Sequence, residues 1–290
     1  MDAGFRRTGL KARRATARVL AAALAAAIAL SIAGCDAALG GRAPSSSPST
    51  PEAVGVPFGT APLAVQPRTT PPRRLTPQPS APLGSWIVHP STQRIESVLG
   101  DLSRAAVLIG DSQSEPSDSW VRRGLERAGY SVYFAGSGGT GYSVGIATVH
   151  AYAEALRLRD WHLPAGSPRL VVVQGGGNDA SRNATDEAIV AGARTLFAEL
   201  QRTYPEAPIV MVGTLAKSAA DGGGRRTQVD ALLGRTAKGL GATFISCGDW
   251  ISRYGLAGDL EDAVHLLPSG RARLAPVLAD ALAAEGLTLP

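Results

Sequence analysis

Five short apolar runs recur along the chain, at residues 105–109, 131–135, 170–174, 208–212 and 242–246. Each is rich in Val, Ile, Leu or Ala and stops at glycine or small polar residues. Runs of that length without polar alternation read as strands buried on both faces. Between them the pattern changes to a helical period. The stretch 185–204 sets Ile189, Ala193, Leu196, Phe197 and Leu200 on one stripe, and 228–240 and 270–284 read similarly. Buried strands alternating with amphipathic helices predict an open parallel sheet of the doubly wound α/β class. In that class, binding sites form beyond the carboxyl ends of the strands.

A longer apolar run lies ahead of this domain, at residues 19–34, VLAAALAAAIALSIAG. It is shorter than the ~20 residues that span a bilayer comfortably, and a basic stretch from Arg6 to Arg18 precedes it. That order describes a secretory signal peptide. Its end, Ile32-Ala33-Gly34-Cys35, resembles a bacterial lipobox, after which the signal is cut and the cysteine is lipidated. Arg6-Arg7 also resembles a twin-arginine signal, which leaves both export routes open. Eleven of the 20 prolines then fall between Pro44 and Pro82, among serines and threonines. Such a segment buries too little apolar surface to offset its ordering entropy, and proline keeps it extended. The expected organisation is a signal at 1–34, a lipid-anchored Pro/Ser-rich linker at 35–84 and a domain at 85–290. The expected location is the extracytoplasmic face of the cell membrane.

With 44% hydrophobic and 18% charged residues, the chain has material for a core, built mainly from aliphatic side chains because aromatics are only 5%. The net charge of +5 points at first to nucleic acid. Residues 1–34, however, carry six basic residues against one acid, and the remainder balances at 23 of each. Cleavage of the signal would remove the basic excess, so no nucleic-acid partner is expected. Two cysteines, Cys35 and Cys247, exclude a disulfide framework. Cys247 follows an apolar run and reads as a buried strand-end thiol.

Four polar blocks carry candidate chemistry. Gly110-Asp111-Ser112-Gln113-Ser114 follows the first strong strand and puts Ser112 in an exposed strand-to-helix turn, beside a helix N-terminus. Alone, this is ordinary turn chemistry. The glycine cluster at 136–141 lets backbone N–H groups approach an anionic oxygen, or simply makes a turn. It lacks the Lys-Ser/Thr ending of a P-loop and the GxGxxG spacing. Gly176-Gly177-Asn178-Asp179 offers a side-chain amide to an oxyanion, or to local backbone. Asp262-Ala263-Val264-His265 spaces a carboxylate three residues from an imidazole, within reach in a helix or turn. His89, His150 and His162 have no such setting and read as structural or surface residues.

Taken together, the serine, glycine, asparagine and histidine blocks occur in the order of the SGNH hydrolases, the GDSL-like esterases and lipases. The resemblance runs from about Ala105 to Ala284. GDSQS resembles the nucleophile block, with Gln113 where many members carry Leu or Ile. GGND resembles the GxND block and DAVH the DxxH block; the glycine block is the loosest match. The resemblance implies a flavodoxin-like three-layer α/β/α sandwich with a five-stranded parallel sheet. It implies Ser112 as nucleophile, His265 as base and Asp262 as its orienting carboxylate. It further implies an oxyanion hole from the Ser112 N–H, the Gly139 N–H and the Asn178 amide, with Gly138 the alternative to Gly139. No signature for a metal or organic cofactor stands out. The substrate class would be an ester: a small ester, a lipid or an acylated envelope glycan, acetyl included. Two alternatives remain at this point, an O-acyltransferase using the same site and a non-catalytic binding module on the same fold.

The mature protein should begin at lipidated Cys35 and partition with membranes. Intact mass checks this: wild type carries lipid and Cys35→Ser does not, and a lipid-free wild-type protein refutes the anchor.

Overall fold

The computed structural model describes residues 80–290; the signal region, Cys35 and all but the last residues of the proline-rich linker lie outside the described residues. The described chain opens with an antiparallel hairpin of β1 (Trp86–Val88) and β2 (Ile95–Ser97). The sequence pattern does not announce this pair, because three-residue strands are too short to show alternation. The hairpin is tied to the main body by Ser97, whose N–H donates to Leu163 O at 3.2 Å and whose carbonyl accepts from Ala165 N–H at 2.7 Å.

The main sheet contains β3 (Ala105–Gly110), β4 (Ser131–Gly136), β5 (Leu170–Gln174), β6 (Ile209–Val212) and β7 (Thr243–Ile245). These are the five apolar runs, all paired in parallel in the order β4-β3-β5-β6-β7. Period-two alternation splits each inner strand between two cores. Ala106, Leu108, Leu170, Val172, Val210 and Val212 face one side. Val107, Ile109, Val171, Val173, Ile209 and Met211 face the other. Because both faces are dry, the strands read as continuous apolar runs.

Helices cover each face. On the first lie α1 (Trp120–Arg127), α6 (Trp250–Arg253) and α7 (Pro268–Ala284), through Trp120, Val121, Leu125, Trp250, Ile251, Leu274, Leu278 and Leu282. On the second lie α2 (Tyr152–Leu158), α4 (Asp186–Thr203) and α5 (Gly224–Leu240). The predicted stripe on α4 is the face it buries, with Ile189, Ala193, Leu196 and Leu200 in the core and Phe197 packed at its edge. Thr185 caps that helix, its Oγ1 accepting from Ala188 N–H at 3.2 Å. A five-residue helix, α3 (Gly177–Ser181), follows β5 directly. The result is the expected three-layer α/β/α sandwich. Among the described residues, no helix is long and apolar enough to cross a membrane.

The strand order creates the crevice. From β3 the chain goes outward to β4, then returns across β3 to β5 on the other side. The loops after β3 and β5 therefore diverge and leave a gap at their carboxyl ends. Cys247, as expected, is buried just beyond β7, and burial pushes its thiol well above the usual range.

Gly192, within α4, lies so close to the loop after β4 that a Cβ there would overlap the Tyr142 carbonyl oxygen. Helix propensity alone predicts that Gly192→Ala stabilises by about 1 kcal/mol. Overpacking should reverse the sign and cost about 1–3 kcal/mol, lowering Tm by roughly 2–10 °C. A thermal melt decides; a raised Tm would mean the helix and loop can move apart freely.

Candidate active site

β3 ends at Gly110, and Asp111 shapes the turn beyond it. The Asp111 Oδ1 accepts from Gln113 N–H at 2.9 Å, and its carbonyl accepts from Ser114 N–H and Glu115 N–H, each at 2.9 Å. Ser114, fully buried, donates through Oγ to Gln174 Oε1 at 2.7 Å and so pins the turn to the end of β5. Ser112 is left partly buried at the edge of the sheet. One expectation is corrected here: Ser112 does not sit beside a helix N-terminus. Helix α1 begins only at Trp120, capped by Ser119, whose Oγ accepts from Arg122 N–H. Pro116 explains the delay, since proline disfavours helical dihedrals in the residue before it and brings no N–H of its own.

The 262–265 block folds as an exposed turn ahead of α7. Asp262 Oδ1 accepts from both Val264 N–H and His265 N–H at 2.7 Å, and Oδ2 faces His265 Nδ1 at 2.7 Å. These three donors hold its carboxyl down to about 2, the imidazole bond contributing most. An ionised carboxylate only accepts, so Nδ1 carries the ring proton and Nε2 is left as the acceptor. That nitrogen lies 2.8 Å from Ser112 Oγ. Residues 153 positions apart are thereby joined in one run of hydrogen bonds, Ser112 to His265 to Asp262.

Asn178 sits in the first turn of α3, after Gly176 at φ +97°. Its amide donates to Thr140 O at 2.9 Å and, over a longer 3.3 Å, to Asp111 Oδ2. The next residue, Asp179, holds the glycine loop. Its buried carboxylate accepts from Tyr142 N–H at 3.0 Å, Ser143 N–H at 2.8 Å and Ser143 Oγ at 2.7 Å. Within that loop the two candidate glycines differ. The Gly138 N–H donates to Glu115 Oε2 at 3.0 Å. Gly139, at φ +78°, has an N–H that no acceptor meets among the described residues, and the same holds for the Ser112 N–H.

The site is electrostatically uneven. Burial, the largest cause, pushes the Asp111 carboxyl up to about 6, while the Gln113 N–H, Arg226 and His265 oppose the shift. Arg226 reaches beneath the site from α5, donating to Leu215 O at 3.0 Å and Gly177 O at 3.2 Å. Among the described residues, no group of three His, Cys, Asp or Glu side chains could hold a metal ion. The other histidines lie elsewhere: His89 bonds to Thr203 O, His150 pairs with Asp160, and His162 stacks edge-on with Trp86.

The structure thus brings Ser112, His265 and Asp262 into direct contact and ties Asn178 to the turns that carry Ser112 and Gly139. Sequence reasoning passed over Asp111, Glu115, Asp179 and Arg226. Asp111 and Asp179 stood inside the recognised blocks; the other two carried no signal, since their partners are distant in the chain. Chemically, the arrangement offers a hydroxyl oxygen, an imidazole nitrogen facing it, a carboxylate on the far side of the ring and unengaged N–H donors.

No curated protein matches the chain. Solved structures similar to it include a carbohydrate acetylesterase from Sinorhizobium meliloti, 21% identical, covering 62% of this chain and 99% of that one, with a TM-score of 0.44. A family two carbohydrate esterase from Clostridium thermocellum in complex with cellohexaose is 15% identical, covers 67% and 68%, and scores 0.49. A psychrotrophic esterase from a Pseudoalteromonas species is 12% identical, covers 63% and 98%, and scores 0.48. Residues 100–273 match the family model of the GDSL-like lipases and acylhydrolases. That match spans more than half of the chain and includes all four polar blocks, so the protein belongs to the GDSL-like lipase/acylhydrolase family and is an ester-hydrolysing enzyme.

Proposed function

We propose that this enzyme cleaves O-acyl esters through a covalent acyl-enzyme on Ser112, at the extracytoplasmic face of the membrane to which lipidated Cys35 anchors it. The observation that carries the reading is the unbroken run from Ser112 Oγ to His265 Nε2 at 2.8 Å and from Nδ1 to Asp262 Oδ2 at 2.7 Å. Ser112 Oγ attacks the ester carbonyl carbon while Nε2 takes its proton. Asp262 stabilises the imidazolium and holds its orientation. The carbonyl oxygen becomes an oxyanion, met by the Ser112 N–H, the Gly139 N–H and the Asn178 amide. Gly139 is preferred to Gly138 because the Gly138 N–H is already engaged by Glu115. The Asn178 amide turns toward the oxyanion at the expense of its longer bond to Asp111.

The imidazolium then gives its proton to the departing alkoxide, which leaves as the alcohol. Water enters, His265 takes a proton from it, and the hydroxide attacks the acyl carbon. Collapse returns the proton to Ser112 and releases the acid. The family match favours water over a sugar hydroxyl as the final acceptor.

Ser112→Ala and His265→Ala should each lower kcat by roughly 10³-fold or more with folding intact, because the pair acts as a unit. Asp262→Asn removes the carboxylate charge and puts a donating NH2 in place of one accepting oxygen, and should lower kcat by a smaller factor. A serine-directed organophosphonate should label Ser112 alone; labelling that survives Ser112→Ala would move the nucleophile elsewhere. Because Asp262 is depressed, the turn it holds is intact above the ordinary carboxylate range and is lost only as pH falls through about 2.

Asn178→Ala tests the oxyanion role. Its donor acts on charge that develops in the transition state, so kcat and kcat/KM should both fall by about 10²–10³ while KM moves little. A merely structural asparagine would instead lower Tm and keep activity per folded molecule.

A further inference from the structure

Gln113 stands between the nucleophile turn and the histidine turn, and its side chain is engaged at both ends. Its Nε2 donates to Val264 O at 2.8 Å, and its Oε1 accepts from Trp120 Nε1 at 3.2 Å. Gln113 is 7% exposed and Trp120 1%. A buried amide bonded at both ends has no easy exchange with water, so its orientation is set. The run continues past Val264. The Val264 carbonyl and the His265 N–H belong to one peptide unit, and that N–H donates to Asp262 Oδ1 at 2.7 Å. Trp120, the Gln113 amide, the 264–265 peptide and the Asp262 carboxylate form a single directed chain, in which each link polarises the next.

The histidine turn needs such a tether. Residues 261–263 are exposed, and the Asp262 bonds lie within the turn, so they set its shape and not its position. Arg271 holds the following residue, donating to Leu266 O at 2.9 Å, and reaches Asp118 Oδ1 at 2.8 Å in the loop that follows the nucleophile turn, but it does not touch residues 262–265 themselves. The Gln113–Val264 bond and the Ser112–His265 bond join the two turns.

We propose that Gln113 is a positioning residue whose side-chain amide holds the 262–265 turn so that the His265 imidazole stays within hydrogen-bonding distance of Ser112. The inference rests on the reading that Ser112 and His265 carry the reaction. A base displaced by about 1 Å costs on the order of 10²-fold in rate, with binding unaffected. The bond removed is neutral and lies away from the carbonyl being attacked, so its loss changes geometry and leaves substrate contacts in place.

The test is Gln113→Leu in the full chain. The expected result is a kcat lower by about 10–100-fold, a KM within about twofold and a melt lowered by a few degrees but still cooperative, because the buried Trp120 Nε1–H loses its acceptor. The downfield proton resonance of His265 Nδ1–H should broaden or vanish while the rest of the spectrum persists. Trp120→Phe, which frees the other end of the amide, should lower kcat by a smaller factor in the wild-type background and add nothing on top of Gln113→Leu. If leucine's branching disturbs the turn, Gln113→Met removes the same bonds with an unbranched side chain of similar volume. Wild-type kcat with the His265 resonance intact would overturn the inference and leave Gln113 as a space-filling residue. A raised KM at unchanged kcat would overturn it too, in favour of a substrate contact. Ser112→Ala serves as the reference: activity surviving there refutes the underlying reading, whereas an inactive Ser112→Ala beside a fully active Gln113→Leu refutes this inference alone.

Discussion

A parallel sheet covered on both faces leaves polar groups one outlet, the edge where its strands end. In this protein every inner strand is dry on both sides, with Ala106 and Leu108 in one core and Val107 and Ile109 in the other. Burying a polar group in either core without a partner would cost several kcal/mol. Three of the four polar blocks consequently begin where β3, β4 and β5 stop. The return of the chain across β3 to reach β5 opens the crevice into which those blocks project. The geometry of the candidate site is a consequence of how the sheet is wound.

Around that crevice, buried polar side chains act as fasteners. Ser114 to Gln174 ties the Ser112 turn to β5, Asp179 ties the glycine loop to α3, and Asn178 spans Thr140 and Asp111. Each fastener joins the ends of different strands, so none forms until the sheet is assembled. Asp111 illustrates the tension this creates. Its carboxyl is raised by burial, yet it organises the turn and accepts from Asn178. Asp262 is the opposite case, an exposed carboxylate held ionised by three donors within its own turn. The two carboxyls are shifted in opposite directions, Asp111 upward by burial and Asp262 downward by the donors of its own turn.

Legibility in the sequence followed the range of the interactions. The five strands were readable because burial on both faces leaves an uninterrupted apolar run. Helix α4 was readable because its stripe is long enough to show a period. The pairing of Asp262 with His265 was readable because three residues of one turn separate them. The hairpin of β1 and β2 was not, being too short for a pattern, and the late start of α1 was misjudged because Pro116 outweighs the usual strand-to-helix geometry. That the Gly138 N–H is engaged depends on a carboxylate, Glu115, whose side chain reaches across from another loop.

The sequence by itself determined the layered α/β class, the order of the four blocks and the chemical types within them, because periodicity and local spacing are written along the chain. It also carried the family resemblance that the match over residues 100–273 bears out. Tertiary structure alone decided that Ser112 Oγ meets His265 Nε2 across 153 positions, which glycine N–H stays unengaged, and that Gln113 bridges the two turns. Those outcomes are distances between loops on different strands. Only closure of the sheet and its helices sets such distances, and no local preference of the residues involved encodes them.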